Sequence, residues 1–141
     1  MTTTTTAQVF SGTVPLNISG PTVEIADLIE MVNTIAEEGC YSYWADEVTN
    51  VKKNLMTLNG LEHNYTYELA VKPYEEDRWL TIDTNVIKLG IERILNGEIQ
   101  INKHIIEYIA QEVGDSSLGC LDTEAVDCIV QAGLFGGVIY G

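Results

Sequence analysis

Tyr65-Thr-Tyr-Glu-Leu-Ala-Val-Lys-Pro73 decides the fold class. Tyr65, Tyr67, Leu69 and Val71 share one face of an extended chain and Thr66, Glu68, Ala70 and Lys72 the other, the period-two pattern of a half-buried strand. Just before it, Asn59-Gly60 between Leu58 and Leu61 is a hairpin dipeptide, so residues 51–58 are expected to form a short strand or irregular arm leading into that hairpin. Residues 40–48, rich in aromatic and β-branched side chains, read as another strand, and 78–82 as a third after the acidic turn Glu75-Glu76-Asp77.

Around these strands the period changes to that of a helix. An extended stretch at 9–18 leads to Ser19-Gly20-Pro21, a helix-start signature. Ile25, Leu28, Ile29, Val32, Ile35 and Ala36 then make one apolar stripe, Glu24, Asp27, Glu30 and Thr34 face away, and Gly39 ends the helix. Asp83, Asn102 and Asp122 each stand where a side-chain cap is needed for a further helix, with stops at Gly97, Gly114 and the glycines from Gly133 onward. Gly90, inside the second helix, predicts close approach of another backbone. The last helix is apolar around most of its circumference, leaving Glu124, Asp127 and Gln131 as a narrow polar stripe, so a subunit partner is expected to cover part of it. Helix, strands, then helices spell an α+β fold: a small antiparallel β-meander with about four helices packed on it. Residues 9–141 are expected to be that single domain and residues 1–8, with their threonine run, a disordered lead-in.

The chain has 141 residues, 21 of them acidic and 7 basic, for a net charge of −14. That sign argues against direct nucleic-acid binding, which depends on basic side chains neutralising phosphate. No uncharged apolar run of about 18 residues marks a membrane span, and no secretory leader is recognisable. Cys40, Cys120 and Cys128 lack metal-ligand spacing and read as reduced, buried thiols, so neither a metal nor a cofactor is expected.

His63, in a polar turn region, and His104, in the first turn of a helix, have no sequence-local nucleophile or carboxylate in a catalytic arrangement, and phosphate-loop and hydrolase motifs are missing. Two groups remain as candidates for binding. Asp27 and Glu30 lie one helical turn apart on an acidic face that would steer a cationic partner. The aromatic residues Tyr41, Tyr43, Trp44, Tyr65, Tyr67, Tyr74 and Trp79, with Lys72 and Arg78 beside them, could stack on a planar ligand or anchor a protein. Within that set Tyr43, Trp44 and Tyr67 read first as core, and Trp79 as evenly balanced. The site residues carried forward are Asp27, Glu30, Trp44, Lys72, Arg78 and Trp79.

Three patches, Tyr43-Trp44-Ala45, residues 80–95 entered through Thr81-Ile-Asp83, and Leu134-Phe-Gly-Gly-Val-Ile-Tyr-Gly141, resemble an uncharacterised family of small bacteriophage and plasmid proteins that end in a similar signature. Such sequences often carry Glu within the ending, where this chain has Gly137. The resemblance implies a non-enzymatic accessory protein in the host cytoplasm. It would bind and neutralise a host factor, such as an anti-phage-defence component, as an acidic decoy for a host protein or a sponge for a small-molecule signal. Independently of the resemblance, the apolar last helix leads to the expectation of a homo-oligomer. The alternative is a virion or assembly-associated structural protein.

Overall fold

The structure is a computed structural model that describes residues 8, 9, 12–16, 22–58 and 60–140. Its main sheet has the order β1-β4-β5-β6, where β1 is Gln8–Val9, β4 Ala45–Leu58, β5 Leu61–Pro73 and β6 Leu80–Asp83. β4, β5 and β6 form the expected antiparallel meander, and β1 adds a short parallel pairing, Gln8 opposite Met56 and Val9 opposite Thr57. A separate two-stranded ribbon pairs β2, Thr13–Pro15, with β3, Thr22–Glu24. The helices are α1, Ile25–Glu38; α2, Thr84–Leu95; α3, Lys103–Gly114; and α4, Thr123–Phe135, with a 3-10 turn at Leu118–Cys120.

Several boundaries differ from the sequence reading. α1 begins at Ile25, because pairing with β2 holds Thr22–Glu24 extended; Ser19, Gly20 and Pro21 lie outside the described residues. Residues 40–44 are a turn, since the chain leaves α1 through left-handed Gly39 (φ 66°) and the Tyr41 carbonyl accepts from Trp44 and Ala45 amides. The strand starts only at Ala45. It then runs for 14 residues instead of forming a short arm, with irregular pairing between Thr49 and Lys53. There Asn50 takes a left-handed conformation (φ 50°), as bulged strands permit. The third strand is shifted to Leu80–Asp83, and Gln8, at the edge of the expected lead-in, is already paired. Leu58 pairs with Leu61 across the hairpin, where Gly60 has φ 81°; Asn59 lies outside the described residues.

The caps are where the sequence put them. Asp83 accepts from the Val86 amide at 3.0 Å, Asn102 from His104 at 2.8 Å and Asp122 from Ala125 at 2.9 Å. Each satisfies a helix donor that has no partner within its own helix.

α2 and α4 pack with their backbones in contact. A Cβ on Gly90 would stand 2.0 Å from the Ile129 carbonyl oxygen, and one on Gly133 would stand 2.1 Å from that of Val86. Arg93, from the last turn of α2, donates to the Ala132 carbonyl at 2.7 Å and the Gly133 carbonyl at 3.2 Å, which places a cation at the negative end of α4. A main core joins α1, α2, α4 and β5, and a smaller cluster of Ala26, Ile29, Met56, Leu58 and Tyr65 lies under the start of α1. Every residue from Ala125 to Gly133 is buried within one chain, so covering α4 takes no partner.

Candidate functional site

The polar stripe of α4 is internal. Glu124 is exposed, but Asp127 and Gln131 are buried and form a cage with the turn that follows α1. Trp44 donates its indole N–H to Asp127 Oδ1 at 2.8 Å, Gln131 donates to Asp127 Oδ2 at 2.9 Å, and the Tyr43 hydroxyl donates to the same oxygen. Gln131 Nε2 also donates to the Tyr43 oxygen and to the Tyr140 carbonyl, each at 3.0 Å. Its oxygen accepts from the Ile139 amide at 3.0 Å and the Tyr140 amide at 2.9 Å. Three neutral donors thus hold a buried carboxylate, as burying a charge requires.

The chain beyond α4 folds over this cage. Left-handed Gly136 (φ 73°) caps the helix, and residues 138–140 then lie across Trp44 as a strap. The Tyr140 ring stacks on the indole, with centroids 5.5 Å apart and planes 3° apart, and Phe135 meets both rings edge-on. Trp44 is only 2% exposed, so its expected role as a binding surface is corrected: its ring faces are taken by this chain's own aromatic side chains.

Tyr43 reverses the other way. Expected in the core, it is 54% exposed, although its hydroxyl end is enclosed by the cage. Enclosure pushes that phenol above its ordinary range, as do the hydrogen bond to Asp127 and its charge, and Gln131 partly offsets them. Tyr67, also expected inside, is one-third exposed and lines a groove of about 360 Å³ with Ile25, Ile29 and Met56.

Tyr43 belongs to an exposed aromatic end. Tyr74, 58% exposed, is tied to the same turn: its hydroxyl donates to the Ser42 carbonyl at 3.2 Å and its amide to the Trp44 carbonyl at 2.9 Å. Trp79, 46% exposed, ends the loop that Tyr74 starts, and Ile139 of the strap is 58% exposed. The loop and the strap meet the same turn, Tyr74 through the Ser42 carbonyl and Tyr140 through the Tyr43 hydroxyl, and the Tyr140 phenol is raised by burial first and then by Glu76 and Glu75. Lys72 and Arg78 are engaged locally: Lys72 pairs with Asp77 at 3.3 Å and Arg78 with Glu76 at 3.0 Å. Beside Tyr43 opens a recess of about 450 Å³ lined by Glu38, Glu124 and Asp127 among others, with no basic residue in its wall. Among the described residues no three His, Cys, Asp or Glu side chains gather closely enough to hold a metal ion.

Asp27 and Glu30 are half-buried on α1 instead of fully exposed. The Asp27 carboxyl is pushed up to about 6, first by burial and then by the charges of Glu24 and Glu30. Cys40 and Cys128 are buried as expected, but Cys120 is exposed. His63 lies on β5 against the Tyr65 ring instead of in a turn, and His104 is exposed in the first turn of α3. Among the described residues no helix is long and apolar enough to cross a membrane.

Sequence reasoning missed Asp127 and Gln131. An i, i+4 pair of polar residues on an otherwise apolar helix was the available signal, because such a pair either faces water or meets polar partners inside. No family model, curated protein or solved structure matches the chain.

Proposed function

We propose that this chain is a non-enzymatic binding protein that neutralises a basic protein surface, docking it on the exposed aromatic end formed by Tyr43, Tyr74, Trp79 and Ile139. The observation that carries this reading is the exposure of those four large side chains in three segments tied together by hydrogen bonds. Rigid aromatic side chains give contact area at low entropy cost, and Tyr and Trp are enriched among residues that dominate interface energy. Acidic residues surround them: Glu75, Glu76 and Asp77 in the loop, Glu38 and Glu124 in the recess. A partner rich in arginine or lysine would match both features, stacking its cations on the rings and pairing with the carboxylates.

The planar-ligand sponge is less well supported, because Trp44 is buried and both nearby cations already have carboxylate partners. The acidic face of α1 supports a second reading of the same class. Burial first, then the charges of Glu24 and Glu30, raises Asp27, and a cationic partner over the three carboxylates would offset their mutual repulsion. A bacteriophage origin and a host defence protein as the target are the finer form of this proposal, resting on the resemblance of the chain's ending.

Affinity capture from bacterial lysate tests the proposal and separates the two surfaces. The expected result is a basic protein held by the wild-type chain, released by salt, lost with Tyr74→Ala/Trp79→Ala and retained with Asp27→Lys/Glu30→Lys. Loss only with the α1 charge reversal would move the interface to that helix. Capture unchanged by both double variants, with native circular dichroism, would overturn the proposal.

A further inference from the structure

The strap meets the rest of the chain in the way that a bound peptide meets a receptor. One side chain, Gln131, reads three backbone groups of the strap: the Ile139 and Tyr140 amides and the Tyr140 carbonyl. The Tyr43 hydroxyl reaches that carbonyl as well, at 3.2 Å. Trp44 supplies a flat platform for the Tyr140 ring. The cradle is tied together by bonds that do not involve the strap, since Asp127 holds Trp44, Tyr43 and Gln131. Between α4 and the strap stand only Gly136, which is left-handed, and Gly137, and a Cβ added at Gly137 would meet nothing within 4 Å.

We propose that Tyr43, Trp44, Asp127 and Gln131 form a binding site for an extended, tyrosine-bearing peptide segment, occupied in cis by residues 138–140, and that the strap of a second copy of this chain can occupy it in trans. The contacts define the occupant's chemistry. The carboxamide needs adjacent backbone N–H and C=O groups, and the indole needs a flat ring. A second copy carries that segment, and reciprocal exchange would give a two-fold dimer with each cradle contact reproduced. The cis strap competes at the high effective concentration of a short linker, so exchange requires a concentrated chain or a weakened resident strap.

The test places Tyr140→Ala in a Trp79→Phe background, which leaves Trp44 as the one indole and removes the ring that stacks on it. An amidated peptide of residues 136–140 should bind this full-length variant one to one, read by Trp44 fluorescence. Its affinity should be about tenfold higher than for the chain that keeps Tyr140, and replacing the peptide's tyrosine by alanine should cost about tenfold. Adding Gln131→Ala should abolish binding. A folded Tyr140→Ala chain that ignores the peptide, or takes both peptides equally, overturns the proposal. Should Tyr140→Ala fail to fold, the unmodified chain decides. Refolded at about 1 mM and then diluted, it is expected to show a slowly dissociating dimer by native mass spectrometry, and only monomer would overturn the proposal.

Discussion

Replacing Asp127 by asparagine keeps its size but puts a donor where a carboxylate oxygen accepts from Gln131 and Tyr43. Gln131 cannot turn to accommodate it, because its oxygen is held by the Ile139 and Tyr140 amides. Hydrogen bonds to charged groups contribute about 1.5–3 kcal/mol each, and a buried donor left facing another donor adds to the loss. Asp127→Asn should therefore lower unfolding free energy by about 2–4 kcal/mol in urea titration. Asp27 is the opposite case. Its folded pKa of about 6 lies above the 3.8 ordinary for an aspartate, so the folded state is penalised once pH rises through that interval, and the penalty is complete above about 6. After allowance for solvent screening at a half-buried site, Asp27→Asn should gain about 1 kcal/mol at pH 7, roughly 3–5 °C in Tm. The gain should vanish by pH 4. A scanning calorimetry series across pH checks both magnitude and sign.

At the scale of elements, the contact between α2 and α4 sets the tolerance of the fold to added atoms. Gly90→Ala would place a methyl group 2.0 Å from the Ile129 carbonyl oxygen, so the helices must separate. Overpacking of this kind costs about 1–3 kcal/mol and outweighs the roughly 1 kcal/mol that alanine gains over glycine in a helix. Gly114→Ala, at the end of α3 with nothing within 4 Å, should instead stabilise by about 0.4–1 kcal/mol. Opposite signs in thermal melts of the two variants are the expected result. The caps Asp83, Asn102 and Asp122, the stripe of α1 and the close approach at Gly90 were legible because each rests on spacing within a few residues. The cage was not legible, because Asp127 lies 83 positions from Trp44 and no local period connects them. Nor was the start of α1, whose preceding residues are held extended by pairing with β2, Thr13 opposite Glu24 and Pro15 opposite Thr22.

For the whole molecule, the strap is part of the core's closure. Leu134, Phe135, Val138 and Tyr140 all pack against the main core, and the strap also satisfies Gln131. Fully burying such a side chain contributes about 1.5–3 kcal/mol, so partial burial of four of them still amounts to several kcal/mol. That is a large share of the ~5–15 kcal/mol stability of a domain. Deleting the final eight residues should leave a chain that misfolds or aggregates, measured by loss of the cooperative melt and of soluble yield. A soluble truncation with an unchanged melting temperature would show that the ending is dispensable for folding and serves recognition alone. The narrow polar stripe of α4 was legible from the sequence; that two of its members, Asp127 and Gln131, turn inward and hold the strap was not, since the strap's contacts with Tyr43 and Trp44 span more than 90 positions.

The three thiols differ in a way that suits site-specific chemistry. Cys40 and Cys128 are enclosed, and burial first, then the charge of Asp127, pushes them up to about 12 and about 11, where little thiolate exists at neutral pH. Cys120 stands exposed on the 3-10 turn, its backbone carbonyl fixed by the Tyr108 hydroxyl at 2.7 Å. A maleimide dye or nitroxide added to the native protein would therefore attach at one position, on rigid backbone, without any cysteine being engineered in or out.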